Sequence, residues 1–209
     1  MKGNMPQFEF LEDEHIYKLD GIVIPGVSNI LSPLSDFSGV HPDFMKQACE
    51  FGNHVHKAVE LYLSGELDEE NLDPHLKNIV EQFKVWKEEN IKFHFSEAIV
   101  EKPSFHPGLK YAGTPDMVFV YDAIIDFKTR KTDPIKDILQ LSAYEAFYGK
   151  PGTHRLIVLE LYEDRYKEVD LSNHKLRKQA FPLFRYLLDD WHRRAEMAAK
   201  IAGWKNKGR

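Results

Sequence analysis

Cysteine is almost absent from this sequence of 209 residues, because Cys49 is the only one. A single thiol cannot form an internal disulfide, and metal centres or clusters that need several cysteine ligands are excluded. We therefore expect no iron–sulfur cluster. Since disulfides mark oxidising compartments, their absence makes the cytoplasm the expected location.

Long apolar runs are also missing. No stretch approaches the ~20 consecutive apolar residues of a membrane helix. The first residues, MKGNMPQFEFLEDEHIY, lack the apolar centre of a signal peptide. The length and the 43% hydrophobic content fit one globular domain over residues 1–209, for which we expect no membrane partner.

The formal net charge of −5 argues weakly against a nucleic-acid partner, but it hides an asymmetry. Residues 1–73 hold 4 basic and 14 acidic side chains, whereas residues 174–209 hold 10 basic and 3 acidic ones. A basic C-terminal segment can follow a phosphate backbone, but a solvated helix face has the same composition. The charge pattern alone leaves both interpretations open.

Turn and cap signals divide the first half of the chain. The Asp20-Gly21 step predicts a hairpin, and Pro42 and Asp73-Pro74 predict the first turns of two helices. Residues 92–105, KFHFSEAIVEKPSF, alternate apolar and polar side chains in the manner of a strand. This half is therefore predicted to contain a hairpin, two long helices and one strand region.

The second half alternates strands and helices. Two strands are predicted around a turn at residues 121–123, and Asp133-Pro134 opens a helix that is followed by two more strands. Ser172 is predicted to cap a long basic helix over residues 172–201. The order indicates an α/β domain with a mixed central β-sheet flanked by helices and a core at about residues 41–171.

The segment GTPDMVFVYDAIIDFKTRK, from Gly113 to Lys131, places charges in two apolar runs. Asp126 and Lys128 share one face of an extended strand, and a turn between the runs would bring Asp116 beside Asp126. Such carboxylates suit Mg²⁺ or Mn²⁺, with the Lys128 amine placed either to stabilise charge on a phosphate or to orient an attacking water. An ordinary surface ion pair is the alternative interpretation of the same spacing.

Two helical segments offer further polar groups. His56 lies in a predicted amphipathic helix, where an imidazole can join carboxylates on a metal ion or simply pack at the edge of the core. Gln140 and Tyr144 lie four residues apart, so they share one helix face and could contact a phosphate or a base. Polar residues at the rim of a packed helix would look the same.

Taken in order, these residues resemble the PD-(D/E)xK nuclease signature, as Pro115-Asp116 followed by Asp126-Phe127-Lys128. The spacing Gly52…His56 upstream and Gln140…Tyr144 downstream resembles the RecB-like branch of that superfamily. That branch carries a histidine on an early helix and a Q-x-x-x-Y helix after the core. The segment HIYKLDGIVIPGVSNIL is also similar to the opening segment of phage-type exonucleases and of mitochondrial genome-maintenance exonucleases.

The resemblance implies a restriction-endonuclease-like core and a role for each matching residue. The implied ligands of Mg²⁺ or Mn²⁺ are His56, Asp116, Asp126 and the backbone carbonyl of Phe127. Lys128 would be the catalytic lysine beside the catalytic carboxylates Asp116 and Asp126, and Glu101 would position a second ion or a water. The residues expected to bind DNA are Gln140, Tyr144, Arg130 and Lys131.

The implied function is a metal-dependent deoxyribonuclease, expected to be a standalone exonuclease in DNA recombination, repair or phage DNA processing. No G-x-x-x-x-G-K-[ST] motif is present, so a helicase, like a recombinase or a single-strand-binding protein, would be a separate partner. Tyr111, Tyr144 and Tyr148 are candidates for stacking on unpaired bases or for packing. Three alternatives remain open: an inactive DNA-end-binding module, a structure-specific endonuclease, and an interaction protein with an incidental calcium site.

Overall fold

The structure, a computed structural model, describes residues 6–12, 14–35 and 39–207, with side chains up to residue 202. Its first half contains a small sheet and two long helices. In chain order the elements are β1 (Phe8–Leu11), β2 (Ile16–Leu19), β3 (Ile22–Ile24), α1 (Val27–Leu31), a 3₁₀ turn (Ser32–Leu34), α2 (Pro42–Ser64) and α3 (Pro74–Glu89).

The second half supplies the remaining strands and two more helices. In chain order these are a 3₁₀ turn (Phe95–Glu97), β4 (Ile99–Val100), β5 (Ser104–His106), β6 (Tyr111–Gly113), β7 (Met117–Phe119), β8 (Ala123–Lys128), α4 (Pro134–Tyr148), β9 (Arg155–Leu161), β10 (Tyr166–Asp170) and α5 (Arg177–Lys207). None of the helices in the described ranges has the length and hydropathy that a membrane span requires.

A five-stranded sheet in the order β10-β9-β8-β7-β4 lies at the centre. Strands β8 and β9 run parallel and the other neighbours run antiparallel, so the sheet is mixed. Helices α2 and α3 cover one face, and α1, α4 and α5 cover the other. The predicted α/β architecture with a mixed central sheet flanked by helices is confirmed.

Strand β8 shows why the sheet is buried on both faces. Ile124 packs in the core on the α4 side, whereas Ile125 and Phe127 pack in the core on the α2 side. Successive side chains of a strand point to opposite faces, so Asp126 and Lys128 share the α4 side with Ile124. Two charged side chains therefore enter an otherwise apolar layer at the end of the central strand.

The predicted helix boundaries mostly hold. Asp73 and Asp133 accept hydrogen bonds from the first free backbone N–H groups of α3 and α4, and a proline follows each cap. Gly65 ends α2 in the left-handed conformation, with φ of 76°. At the N-terminus, Asp20 and Gly21 have φ of 51° and 76°, which fits a two-residue hairpin turn between β2 and β3. A third strand, β1, extends this hairpin into a three-stranded sheet.

The prediction of a strand over residues 92–105 is wrong for most of that range. Only β4 and the first two residues of β5 fall inside it. Phe93 and Phe95 instead pack against Trp86 and Phe119, while the backbone N–H groups of Phe95 and Glu97 bond locally to residues 93 and 94. The alternation thus reflects aromatic side chains that cover an edge of the core, and local turns satisfy the backbone.

Two further boundaries differ from the prediction. Ala123 belongs to β8, where it pairs with Phe119, so the hairpin turn is formed by residues 120–122. The final helix begins at Arg177 rather than at residue 172. The Ser172 hydroxyl accepts a hydrogen bond from the backbone N–H of Leu156 at 3.0 Å, and the chain turns twice before α5 begins. Ser172 is therefore a partner of the sheet and does not cap the helix.

A buried ionic network joins α4 to α5 away from the charged end of β8. The Glu145 carboxylate is fully buried and accepts backbone N–H bonds from Gly152, Thr153 and His154. Arg177 Nη2 also donates to it at 2.8 Å. Burial alone would raise the pKa of Glu145, but hydrogen bonds with the His154 ring, Arg177 and the backbone lower it to about 2.

We predict that Glu145→Gln lowers the free energy of unfolding at pH 7 by about 3 kcal/mol, because Arg177 loses its buried partner. The depressed pKa of Glu145 contributes stability above its ordinary value of 4.5, and this is lost as pH falls from 4.5 towards about 2. Urea unfolding between pH 2 and 8 should show a shallower acid limb in the variant. Exposed Glu66→Gln is the control, and an unchanged acid limb in Glu145→Gln would contradict the prediction.

Candidate metal centre

The β7–β8 hairpin brings the two predicted carboxylates together. Met117 pairs with Ile125, so Asp116, one residue earlier, lies opposite Asp126, one residue later. Asp116 Oδ2 accepts a hydrogen bond from the Phe127 backbone N–H at 2.5 Å. Asp116 is 5% exposed and Asp126 is 1% exposed, so both are buried acids whose charge needs compensation.

His56 reaches this end of the sheet from α2. Its Nδ1 lies 3.4 Å from Asp116 Oδ1 and 3.2 Å from Glu101 Oε1. One potential ligand atom from each of His56, Glu101 and Asp116 lies within 4.8 Å of the other two. Two carboxylates and an imidazole at this spacing are a suitable ligand set for Mg²⁺ or Mn²⁺.

Glu101 joins the group through an unusual backbone conformation. It directly follows β4, donates its N–H to the Asp116 carbonyl at 3.1 Å, and has φ of 45°. A left-handed conformation at a residue other than glycine costs about 1–2 kcal/mol. Here it accompanies the contact between the Glu101 carboxylate and His56. The sequence suggests only a supporting role for Glu101, whereas in the structure its carboxylate lies with His56 and Asp116 in the group of potential metal ligands.

Asp126 lies beside this group rather than in it. Its Oδ1 accepts a hydrogen bond from Gln140 Nε2 at 2.8 Å. Its Oδ2 is in ion-pair contact with Lys128 Nζ but has no hydrogen bond of regular geometry in the described part of the chain. The expected convergence of His56 with Asp116 is present, while metal ligation by Asp126 and by the Phe127 carbonyl stays a prediction.

Burial has the largest effect on the pKa values of the three carboxyl groups at this end of the sheet. Burial raises the pKa of Glu101 to about 7 against the opposing effect of His56. Burial likewise raises the pKa of Asp126 to about 7, although the Lys128 charge opposes it. Burial would also raise the pKa of Asp116, but the charges of His56 and Lys128 lower it. A divalent cation would supply the positive charge that the two carboxyl groups with raised pKa values lack.

Two residues of α4, Gln140 and Tyr144, support the Asp126 carboxylate. Gln140, which binds Asp126, also donates to the Tyr144 hydroxyl at 3.2 Å. Tyr144 is 4% exposed and lies so close to Gly113 that a Cβ there would stand 2.7 Å from its ring, so only glycine fits at position 113. Tyr111 is fully buried, with its hydroxyl bonded to the Ala143 carbonyl. Neither Tyr111 nor Tyr144 is accessible for base stacking, and Tyr144 instead positions Gln140.

The two basic residues after β8 lie at the margin of the site. Arg130 donates two hydrogen bonds to Asp137, at 2.7 and 3.2 Å, and its side chain is 45% exposed. Lys131 is exposed. Asp137 is absent from the residues predicted for the site. It is a fully buried acid, and its carboxylate is paired with Arg130. A charge on the apolar side of the run DILQL is the signal that could have revealed it.

Comparison with protein-family models and with curated protein sequences finds no match to this chain. The family resemblance of the motifs therefore remains a hypothesis.

We predict that Glu101→Gln stabilises the metal-free protein. A carboxyl whose folded pKa is about 7, above its ordinary value of 4.5, reduces stability as pH rises from 4.5 to 7 and keeps it reduced above that range. Removing that charge at pH 8 should raise the free energy of unfolding by about 1–3 kcal/mol in EDTA. Thermal unfolding measures the effect, with exposed Glu97→Gln as the control. A Glu101→Gln variant that is less stable than wild type in EDTA would contradict the account.

We predict that His56→Ala weakens Mn²⁺ binding by at least about tenfold, because it removes one of three converging ligands. His54 lies two residues earlier on α2 and is exposed, so His54→Ala is the matched control. Isothermal titration calorimetry with Mn²⁺ alone measures the difference. Equal affinities in the two variants would make His56 a packing residue.

Proposed function

We propose that this chain is a metal-dependent deoxyribonuclease of the PD-(D/E)xK type with a restriction-endonuclease-like core, acting as a standalone exonuclease. One juxtaposition carries the proposal: the ligand group of His56, Glu101 and Asp116 adjoins a lysine ammonium, Lys128, through Asp126. Phosphodiester hydrolysis needs both a divalent ion and a positive charge near the phosphate. The motif resemblance supports DNA as the substrate.

His56, Glu101 and Asp116 would hold the ion, and Asp126 would complete the site. When bound, Mg²⁺ or Mn²⁺ supplies Lewis-acid polarisation of the phosphate and acidifies water near it. The acidic site repels a phosphodiester when no metal is bound, so binding of the nucleic acid should require the ion. The basic α5 helix would provide additional attraction for the phosphate backbone.

Lys128 would act on the phosphate as a cation. Burial lowers the pKa of its ammonium, but the charges of Asp126 and Asp116 raise that pKa by more, so the net shift is upward. The side chain is therefore protonated at neutral pH and is unsuited to be a general base. Its role is to stabilise negative charge that develops on the phosphate in the transition state.

Asp126 and Gln140 would keep Lys128 in place. The Asp126 carboxylate contacts the ammonium on one side and receives the Gln140 amide on the other. Tyr144 in turn fixes Gln140. Asp126→Asn is therefore expected to impair both the metal site and the orientation of the lysine.

We predict that linear DNA is shortened in the presence of Mg²⁺ or Mn²⁺ and that Lys128→Ala reduces the rate by about 10²–10³-fold, because transition-state charge stabilisation is lost. Exposed Lys77→Ala on α3 removes the same charge away from the site and should match wild type. Release of labelled nucleotides measures the rate, and circular dichroism checks the fold. A Lys128→Ala variant as active as Lys77→Ala would remove the lysine from the mechanism.

Closed circular DNA separates the exonuclease proposal from its alternatives. A strict exonuclease leaves the circle intact and degrades it only after linearisation. Cleavage of the closed circle would instead favour an endonuclease on the same fold. Retardation of linear DNA in a gel without shortening, at any metal concentration, would identify an inactive end-binding module.

A further inference from the structure

Lys136, in the first turn of α4, is a cation that the proposed mechanism does not use. It lies four residues before Gln140 and therefore on the same side of the helix. Its side chain is partly buried, and Nζ donates a hydrogen bond to Ser35 Oγ at 2.6 Å. Ser35 follows the 3₁₀ turn that ends at Leu34, so this contact joins α4 to the segment after α1.

Lys136 bonds to a neutral hydroxyl, whereas two other cations near the end of β8 pair with carboxylates. Lys128 is paired with Asp126, and Arg130 is paired with Asp137. Among the side chains of residues 6–12, 14–35 and 39–202, the neutral Ser35 hydroxyl is the only polar group bonded to Lys136 Nζ.

The charges of the described residues around Lys136 also leave its ammonium undercompensated. Burial lowers its pKa first, and the positive charges of Arg130 and Lys128 lower it further. Asp137 and Asp133 act in the opposite direction and do not reverse the shift. A partly buried ammonium among other cations is stabilised by an incoming anion, and the hydroxyl of Ser35 can donate to the same anion.

We propose that Lys136 and Ser35 bind a backbone phosphate of the nucleic-acid strand that is cleaved, next to the phosphate that reacts. This assignment rests on the proposed function. Lys136 precedes Gln140, the partner of Asp126, by four residues, which is about 6 Å along α4. Such a contact places the strand relative to Lys128 without reading its sequence, because a lysine recognises phosphate as a point charge.

Steady-state kinetics on linear DNA with Mg²⁺ test the assignment. Lys136→Ala should raise KM about tenfold, as expected for loss of one charge-assisted contact, and should affect kcat much less. Lys136→Arg, which keeps the charge, should restore most of the affinity, and Lys77→Ala should match wild type. The slope of log KM against log salt should fall by about 0.7–0.9 in Lys136→Ala, the value for one phosphate.

A neutral methylphosphonate in the DNA identifies the phosphate itself. Placed next to the cleaved bond, it should raise KM about tenfold for wild type and have little further effect on Lys136→Ala. If wild type cleaves DNA but Lys136→Ala behaves as Lys77→Ala does, the phosphate site is refuted and the proposed function stands. If wild type cleaves no DNA with Mg²⁺ or Mn²⁺, the proposed function is refuted and the site is refuted with it.

Discussion

Burial of two carboxylates at one end of the central sheet is the constraint on which the rest of the site depends. Asp116 lies directly before β7 and Asp126 lies in the neighbouring strand β8; both are nearly inaccessible to water, so each charge requires partners from the protein. Asp116 has the Phe127 N–H and His56, while Asp126 has Lys128 and Gln140. Helix α2 on one face and α4 on the other are thereby tied to the same hairpin.

The core is apolar on both sides of the sheet, and it keeps the site in a conformation that is energetically unfavourable without a cation. Glu101 has a left-handed backbone, and burial raises its pKa and that of Asp126 to about 7. Each feature reduces the stability of the metal-free fold, and a divalent cation would offset the electrostatic part. This conflict between local preference and fold is expected where a protein prepares a binding site.

Much of this could be predicted from the sequence because the signals are local. Two-residue alternation places Asp126 with Lys128, Asp-Pro steps start α3 and α4, and a four-residue spacing joins Gln140 to Tyr144. The contribution of Glu101 depends on the pairing of β4 with β7, and the pairing of Asp137 with Arg130 depends on tertiary packing. The spacing of residues reveals neither partner, although the position of Asp137 on the apolar side of its helix marks it as a buried charge. The strand predicted over residues 92–105 is mostly absent because the edge aromatics at its start imitate strand alternation.

The central claim is that His56, Glu101 and Asp116 form a divalent-cation site beside Lys128. Anomalous diffraction from a crystal soaked in Mn²⁺ tests it most directly, since the ion is located independently of any activity. The account predicts one strong anomalous peak between the His56 imidazole and the carboxylates of Glu101 and Asp116. No peak there at saturating Mn²⁺, or an imidazole turned away from both carboxylates, would contradict it.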